Sequence, residues 1–364
     1  MGGRGALKVS RIFIEAFRNL AGVDFVPSAG VNVIYGENGQ GKTNLLEAIW
    51  LFSGAKSFRG AKEAELIPIG GKQAGLSLWF SDCSGEHQGR IRLGEKKEIL
   101  FDGLPVDSAA ALSGNLCCVV FSPVHLSLIK GGPAERRRCL DIAIGQIKPR
   151  YQAVLTEYHR LLVQRGALLR DAQYQPALID TLEVWDEVLA RRGALITRTR
   201  QSFVQRLAPF ACEFYRGIST GREEFSLCYC PSAGDGEAAD EDAMIRLLRE
   251  RRADDLRTGT TSVGPHRDDL DMRINGVSAR AFGSQGQQRS GVLAIKLAES
   301  ALIEEVVGQP PVILLDDVMS ELDFLRRDYL LHRLTGRQIL ITCCDPDQVS
   351  EVDARFEMKN GRLC

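Results

Sequence analysis

The chain has 364 residues, 44% of them hydrophobic and 26% charged, and its 46 Lys and Arg against 47 Asp and Glu give a formal net charge of −1. That length suits roughly two domains with a packed core, and the charge balance excludes a uniformly basic nucleic-acid binder, so any DNA-binding surface must be a local patch. No apolar run approaches the ~20 residues of a membrane span. The first six residues carry neither an apolar signal core nor a myristoylation pattern, so a cytoplasmic protein is expected.

The ten Cys and five His form no zinc pattern. Cys117–Cys118 and Cys343–Cys344 are adjacent pairs inside apolar runs, Cys228 and Cys230 stand one residue apart, and no Cys-x-x-Cys occurs. Buried, reduced thiols are predicted.

In chain order, residues 9–17 read as a strand, Arg18-Asn19-Leu20 as a turn, and 24–27 as a second short strand. Val31 to Tyr35 is a buried strand. It leads into Gly36-Glu37-Asn38-Gly39-Gln40-Gly41-Lys42-Thr43, the P-loop pattern, and then into a helix over 44–52 with an apolar face. Glycines let the backbone gather several N–H groups at one point, at a helix N-terminus where a phosphate binds. Lys42 suits the β- and γ-phosphates and the Thr43 hydroxyl suits Mg²⁺.

Residues 53–115 contain strands at 75–80, 89–93 and 97–101, the last turning at Asp102-Gly103, which together predict an antiparallel subdomain. Residues 116–121 read as a core strand ending at Ser122-Pro123. Pro133 suits a helix start, beside a basic cluster of Lys130, Arg136, Arg137 and Arg138. The cluster is either a solvated face or a set of DNA phosphate contacts.

From 139 to 216 the chain reads as helical. Tyr151, Val154, Leu155, Tyr158, Leu161, Leu162, Arg165, Leu168 and Leu169 mark one stripe, and residues 173–176 break it. Val184, Trp185, Val188, Leu189, Ile196, Phe203, Val204 and Leu207 mark a second. The pair predicts an antiparallel hairpin. Residues 231–236 read as a loop and 242–252 as a short charged helix.

Ser284-Gln285-Gly286-Gln287 precedes an apolar helix, where Ser284 is either an ordinary N-cap or part of a phosphate-capping element. Residues 310–317 form an apolar strand ending in Asp316 and Asp317. An acid at that position faces the P-loop mouth, so Asp316 is predicted to hold Mg²⁺ and Asp317 to orient the attacking water.

The order is P-loop, Ser-x-Gly-Gln, acidic strand, then Ser320-Glu321-Leu322-Asp323, which is that of ABC-type ATPases. In such proteins the Ser-x-Gly-Gln element of one subunit closes on the γ-phosphate held by another. The sequence resembles the RecF family, bacterial recombination-repair ATPases related to SMC heads. The resemblance rests on Phe17-Arg18-Asn19-Leu20, the P-loop, Val120-Phe121-Ser122-Pro123, and Lys130-Gly131-Gly132-Pro133 with Arg136-Arg137-Arg138. It continues through Val263-Gly264-Pro265-His266-Arg267-Asp268-Asp269-Leu270, Ser284 to Arg289, and Leu314 to Asp323.

The resemblance implies an α/β, ABC/SMC-type head with a mixed sheet and a β subdomain. That head is split between residues 1–138 and 259–364 by an inserted helical arm at 139–258. It also implies slow, DNA-stimulated ATP hydrolysis with Mg²⁺ and homodimerisation on ATP. Binding to single- and double-stranded DNA at gaps and junctions, and recombinase loading with RecO and RecR, follow as further expectations. Arg18, Asn19, Ser284, Gly286 and Gln287 are then nucleotide contacts. Two positions depart from the family pattern: Val124-His125 stands where an acidic pair is expected, and Thr342-Cys343-Cys344 follows the strand after which ABC proteins carry a switch His. Three rival readings fit these residues less well. An ABC transporter subunit needs that His, and none follows His332. A non-hydrolysing clamp would not need Lys42, Thr43, Asp316 and Asp317, and an SMC tether needs far longer arms.

Overall fold

The computed structural model describes residues 7–232, 240–349 and 351–364. The strands begin with β1 (Lys8–Phe17), β2 (Leu20–Phe25) and β3 (Val31–Tyr35), followed by helix α1 (Lys42–Trp50). Next come β4 (Ala74–Asp82), β5 (Gly85–Leu93), β6 (Glu98–Phe101), β7 (Leu104–Pro105) and β8 (Cys118–Phe121). Helices α2 (Ser127–Lys130), α3 (Pro133–Ile147), α4 (Pro149–Asp171) and α5 (Leu182–Ile218) precede β9 (Phe225–Cys230), α6 (Glu241–Glu250) and α7 (Arg252–Thr258). The chain then forms β10 (Asp269–Ile274), β11 (Val277–Ser278), α8 (Ala279–Phe282), α9 (Gln285–Val307), β12 (Val312–Asp316) and α10 (Phe324–Arg333). It closes with β13 (Ile339–Cys343), β14 (Ala354–Lys359) and β15 (Arg362–Leu363).

Three sheets form among the described residues. The order β15-β14-β3-β13-β12-β8 is parallel throughout except for β15. Its inner strands are buried on both faces, which is why they read as unbroken apolar runs. A second, antiparallel sheet runs β2-β1-β4-β5-β6-β7, and a third runs β11-β10-β9. The predicted second strand lies earlier than expected, at Leu20–Phe25, and Val26 is exposed beyond it. The predicted loop at 231–236 falls largely outside the described residues.

Helices α4 and α5 form the predicted hairpin, but its inner face differs from the apolar stripe. Val184 and Val188 are exposed while Asp186 is buried. Fully buried Arg165 bonds Asp186 Oδ1 at 2.7 Å, Asp255 Oδ2 at 2.8 Å and Thr261 Oγ1 at 2.8 Å. Arg252 adds a bond to Asp186 Oδ2 at 2.9 Å. Further along, Arg200 grips Asp141 with two 2.8 Å bonds and donates to the Pro265 carbonyl at 2.6 Å.

The expected insertion at 139–258 is tied closely to the rest of the fold. Helix α3 runs across residue 138, and β9, from the proposed insertion, pairs with β10 along its whole length. Residues 264–269 tie these parts together. His266 Nδ1 faces the Tyr158 hydroxyl at 2.8 Å and Nε2 faces the Thr261 carbonyl at 3.0 Å. This fixes a neutral tautomer with its proton on Nε2, because only an N–H can donate to a carbonyl. Asp268 accepts bonds from Tyr229, Thr197 and the Ser232 N–H.

Removing one partner of a buried charge strands the other, at a cost of about 3–5 kcal/mol. Asp186→Ala is therefore expected to lower the thermal unfolding midpoint markedly, whereas Val184→Ala on the exposed face leaves it nearly unchanged; equal effects would contradict the placement. Burial pushes the His266 imidazole down to about 4. Between about pH 6.5 and 4 the unfolded chain therefore binds the proton that the folded chain refuses, and stability falls as pH falls through that window. His266→Gln is expected to lose less stability between pH 6.5 and 5 in urea titrations; an unchanged pH slope would refute this.

Candidate functional site

The C-terminal ends of four parallel strands meet on one line. Cross-strand register places Asp316 beside Thr342, Leu315 beside Phe121, and Cys343 beside Tyr35. The segments leaving these ends therefore converge: the glycine loop after β3, Ser122 after β8, Asp316-Asp317 at the end of β12, and Thr342-Cys343-Cys344 at the end of β13. Ligands of open α/β sheets bind outside such strand ends.

The loop has the backbone that its glycines permit. Gly36, Gly39 and Gly41 have φ of 148°, 81° and 109°, which side chains resist. A Cβ on Gly36 would lie 2.3 Å from the Met358 carbonyl oxygen, and one on Gly41 would lie 2.6 Å from Leu20. Lys42 is buried, and its Nζ donates to the carbonyls of Gly36 (2.5 Å) and Glu37 (2.8 Å). The ammonium thus sits inside the loop's own ring of acceptors.

Thr43 Oγ1 donates to Asp316 Oδ1 at 2.7 Å, joining residues far apart in sequence. Asp316 is 6% exposed and also accepts from Thr342 Oγ1 (3.0 Å) and Ser122 Oγ (3.2 Å). Burial raises its pKa, and the hydroxyls of Thr43, Thr342 and Ser122 oppose the shift. A buried carboxylate ringed by hydroxyl oxygens is a hard donor set that fits Mg²⁺. Asp317 has φ of 50°, a left-handed conformation uncommon outside glycine. Its N–H reaches Thr342 Oγ1 at 3.0 Å, and Ser320 Oγ donates to its carbonyl at 2.9 Å. Thr342 is 1% exposed, and its hydroxyl donates to the Asp316 carboxylate while accepting from the Asp317 N–H. Val124 is exposed, and burial beside Lys296 and Arg138 holds the His125 imidazole well below its ordinary pKa.

The structure brings other sequence candidates to the loop by less obvious routes. Asn19 Nδ2 donates to the Gly39 carbonyl at 3.0 Å and its Oδ1 accepts from Asn44 at 2.7 Å. Arg18 pairs with fully buried Glu47 at 2.7 Å. That carboxylate also takes the Ser57 hydroxyl, so Arg18 anchors α1. Three contributors were missed. Arg59 donates to Asn44 at 3.0 Å and lies close enough to Asp316 to favour its ionised form. Glu47 was signalled by a lone carboxylate inside the apolar run Leu45 to Trp50. The third is the C-terminal hairpin, whose Asn360 and Gly361 N–H groups donate to Gln40 at 2.5 and 3.0 Å.

Ser284 caps α9 in a reciprocal box with Gln287: Gln287 N–H reaches Ser284 Oγ at 3.2 Å, and Ser284 N–H reaches Gln287 Oε1 at 2.8 Å. Ser284 is exposed and Gly286 partly so, and Gln287 bonds Glu223 at 2.7 Å.

The basic cluster divides. Arg136 is 2% exposed and clamped on Asp269 by bonds of 2.6 and 2.8 Å, so its predicted DNA contact is corrected to a structural ion pair. Arg137 donates to the Asp268 carbonyl at 2.6 Å and Arg138 to the Ser57 carbonyl at 2.5 Å, while Lys130 is exposed. The cysteines also depart from expectation. All ten are free, but Cys83, Cys228, Cys230, Cys344 and Cys364 are exposed, and Cys344 lies 3.2 Å from Asn38 at the loop.

The model of the RecF/RecN/SMC N terminal domain family matches residues 8–100. The DNA replication and repair protein RecF of Acetivibrio thermocellus is 40% identical over 347 residues, 93% of this chain and 94% of that one. The RecF of Agathobacter rectalis is 39% identical over 98% of both. Among solved structures, one described as the recombination mediator protein RecF-ATP in the RecFOR pathway has a TM-score of 0.92 at 35% identity, covering 100% of this chain and 98% of that one. The Smc head domain of Pyrococcus yayanosii, at 14% identity, covers 98% of this chain and 97% of that one with a TM-score of 0.59, which is a likeness of fold. Near-full-length identity of this order, on a fold that lines these motifs along one sheet edge, shows that the chain belongs to the RecF family.

Proposed function

We propose that this protein is an ATP-dependent DNA-binding protein of recombinational repair and replication-fork maintenance, acting in the cytoplasm. In this reading it hydrolyses ATP slowly and dimerises on the nucleotide. It binds single- and double-stranded DNA at gaps or junctions and helps load a recombinase with RecO and RecR. The observation that carries the ATPase part is the Thr43–Asp316 bond, with Lys42 and Asp317 flanking it. The relatives' printed role in DNA replication and repair, and a solved RecF described with ATP in the RecFOR pathway, support the repair role and the link to RecO and RecR.

The geometry suggests how the work divides. The Gly36–Thr43 backbone and the α1 N-terminus cradle the phosphates. Lys42 exchanges its carbonyl partners for β- and γ-phosphate oxygens. Thr43 and Asp316 hold Mg²⁺, which supplies charge neutralisation to the phosphates. Asp317, locked by Thr342 and Ser320, orients water for in-line attack. Exposed Ser284 and partly exposed Gly286 of a second copy cap the γ-phosphate. Phe282, Phe324 and Leu325, 76%, 78% and 71% exposed, give the flanks of that face an apolar character suited to a partner. Lys130 remains a phosphate contact in this reading. Family membership sets the transporter reading aside.

Lys42→Met is expected to weaken ATP binding at least about 30-fold, since truncating one partner of a buried charge pair costs about 2–5 kcal/mol. It should also abolish ATP-driven dimers in sedimentation, whereas normal dimers would count against the loop. Asp317→Asn should bind ATP normally, give long-lived dimers, and lose about 10²–10⁴-fold in turnover; wild-type phosphate release would assign the water to another group.

A further inference from the structure

A cavity of about 940 Å³ lies between the segment at 54–63 and helices α3 and α4, and no residue of the Gly36–Thr43 loop lines it. Its volume is within the roughly 300–1,000 Å³ of pockets that enclose a small ligand. That is room for one or a few nucleotides.

Its charges do not balance. Of the lining carboxylates, Glu63 is taken by Lys97 and Asp141 by Arg200. Arg137 and Arg138 also line it, and the acceptors they hold are neutral carbonyls. Lys56 and Lys62 are exposed on its rim and pair with no carboxylate among the described residues. Lys56 and Lys62 therefore face the cavity with no carboxylate partner, and Arg137 and Arg138 bond only carbonyls there, with Asp269, Asp268 and Asp141 acting on Arg137 through space. His159 on the same wall has its pKa pushed down by burial, with Arg200, Lys56 and Arg137 adding to the shift against Asp141. The floor between the cations is apolar, with Leu51, Ile91, Leu93 and Leu155 among its residues. Cations around an apolar floor match a phosphate joined to a base.

We propose that this cavity is a second nucleotide-binding site, separate from the glycine loop, which takes a nucleoside phosphate with the phosphate on Lys56, Lys62, Arg137 and Arg138 and the base on the apolar floor. The unit comes either from a single DNA strand or from free nucleotide, and in the first case the inference rests on the DNA-binding reading above. Backbone-tracking cations beside apolar base contacts are how sequence-tolerant single-strand sites work.

The test measures binding of a short fluorescein-labelled oligothymidylate, and of thymidine monophosphate, to the full chain and to a Lys56→Glu/Lys62→Glu variant, over a salt series. Thermal unfolding and ATP binding of both proteins control for folding, and Lys56→Gln/Lys62→Gln serves if the charge reversal fails to fold. The expected result is at least a tenfold loss of oligonucleotide affinity in the variant and a salt slope shallower by about 1.4, since single-strand slopes change by about 0.7 per phosphate contact. Loss of monophosphate binding without any oligonucleotide binding to the parent chain assigns the site to free nucleotide and counts against the DNA reading. Equal binding of both probes to parent and variant overturns the site and leaves the ATPase and DNA readings intact. Binding of neither probe to the parent chain overturns the site and the single-strand reading together.

Discussion

The 2.7 Å bond between Thr43 and Asp316 is the contact on which the candidate site depends. Thr43 comes from the N-terminal third of the chain and Asp316 from the C-terminal end of β12. Only a sheet that places β3 and β12 on either side of β13 can bring them together. The bond therefore reports the whole parallel sheet. Its cost is a carboxylate desolvated at the sheet edge, and three hydroxyls offset part of that cost. The same three hydroxyls hold both oxygens of the carboxylate in place.

A second constraint ties the helical hairpin to the sheets. Its inner face carries charge where an ordinary helix pair would carry Leu or Val. Arg165 and Arg200 are each held by buried carboxylates, and the Pro265 and His266 contacts extend these networks to β10. Ion pairs of this kind add little net stability, but any register that separates the partners leaves a charge buried and unpaired. The hairpin is thus held to one orientation over the cavity that Arg137, Arg138 and His159 line.

Much of the site was legible in the sequence because its chemistry demands rare patterns. A glycine loop between a buried strand and a helix has few other uses, and parallel strands covered on both faces read as apolar runs. The less legible parts share one cause: the sequence does not show which charges pair. Arg136 looked like its neighbours in a basic run, yet its partner is Asp269, more than a hundred residues away. Asp186 sat between two valines that turn outward. The C-terminal hairpin against Gln40 carries no motif, because its contribution is made by backbone N–H groups that any residue supplies. The pairing of β9 with β10, which joins residues on either side of 258, carries no motif either.

The central claim is that the glycine loop is half of a site completed by Ser284 of a second copy. The most direct test mixes two inactive proteins, one carrying Lys42→Met and the other Ser284→Arg. In a mixed dimer one site joins an intact loop to an intact Ser284, so phosphate release should recover to about a quarter of the parent rate at equal mixing of freely exchanging subunits. A mixture as inactive as its components, or a Ser284→Arg protein that turns over ATP at the parent rate alone, would contradict a site shared between two chains.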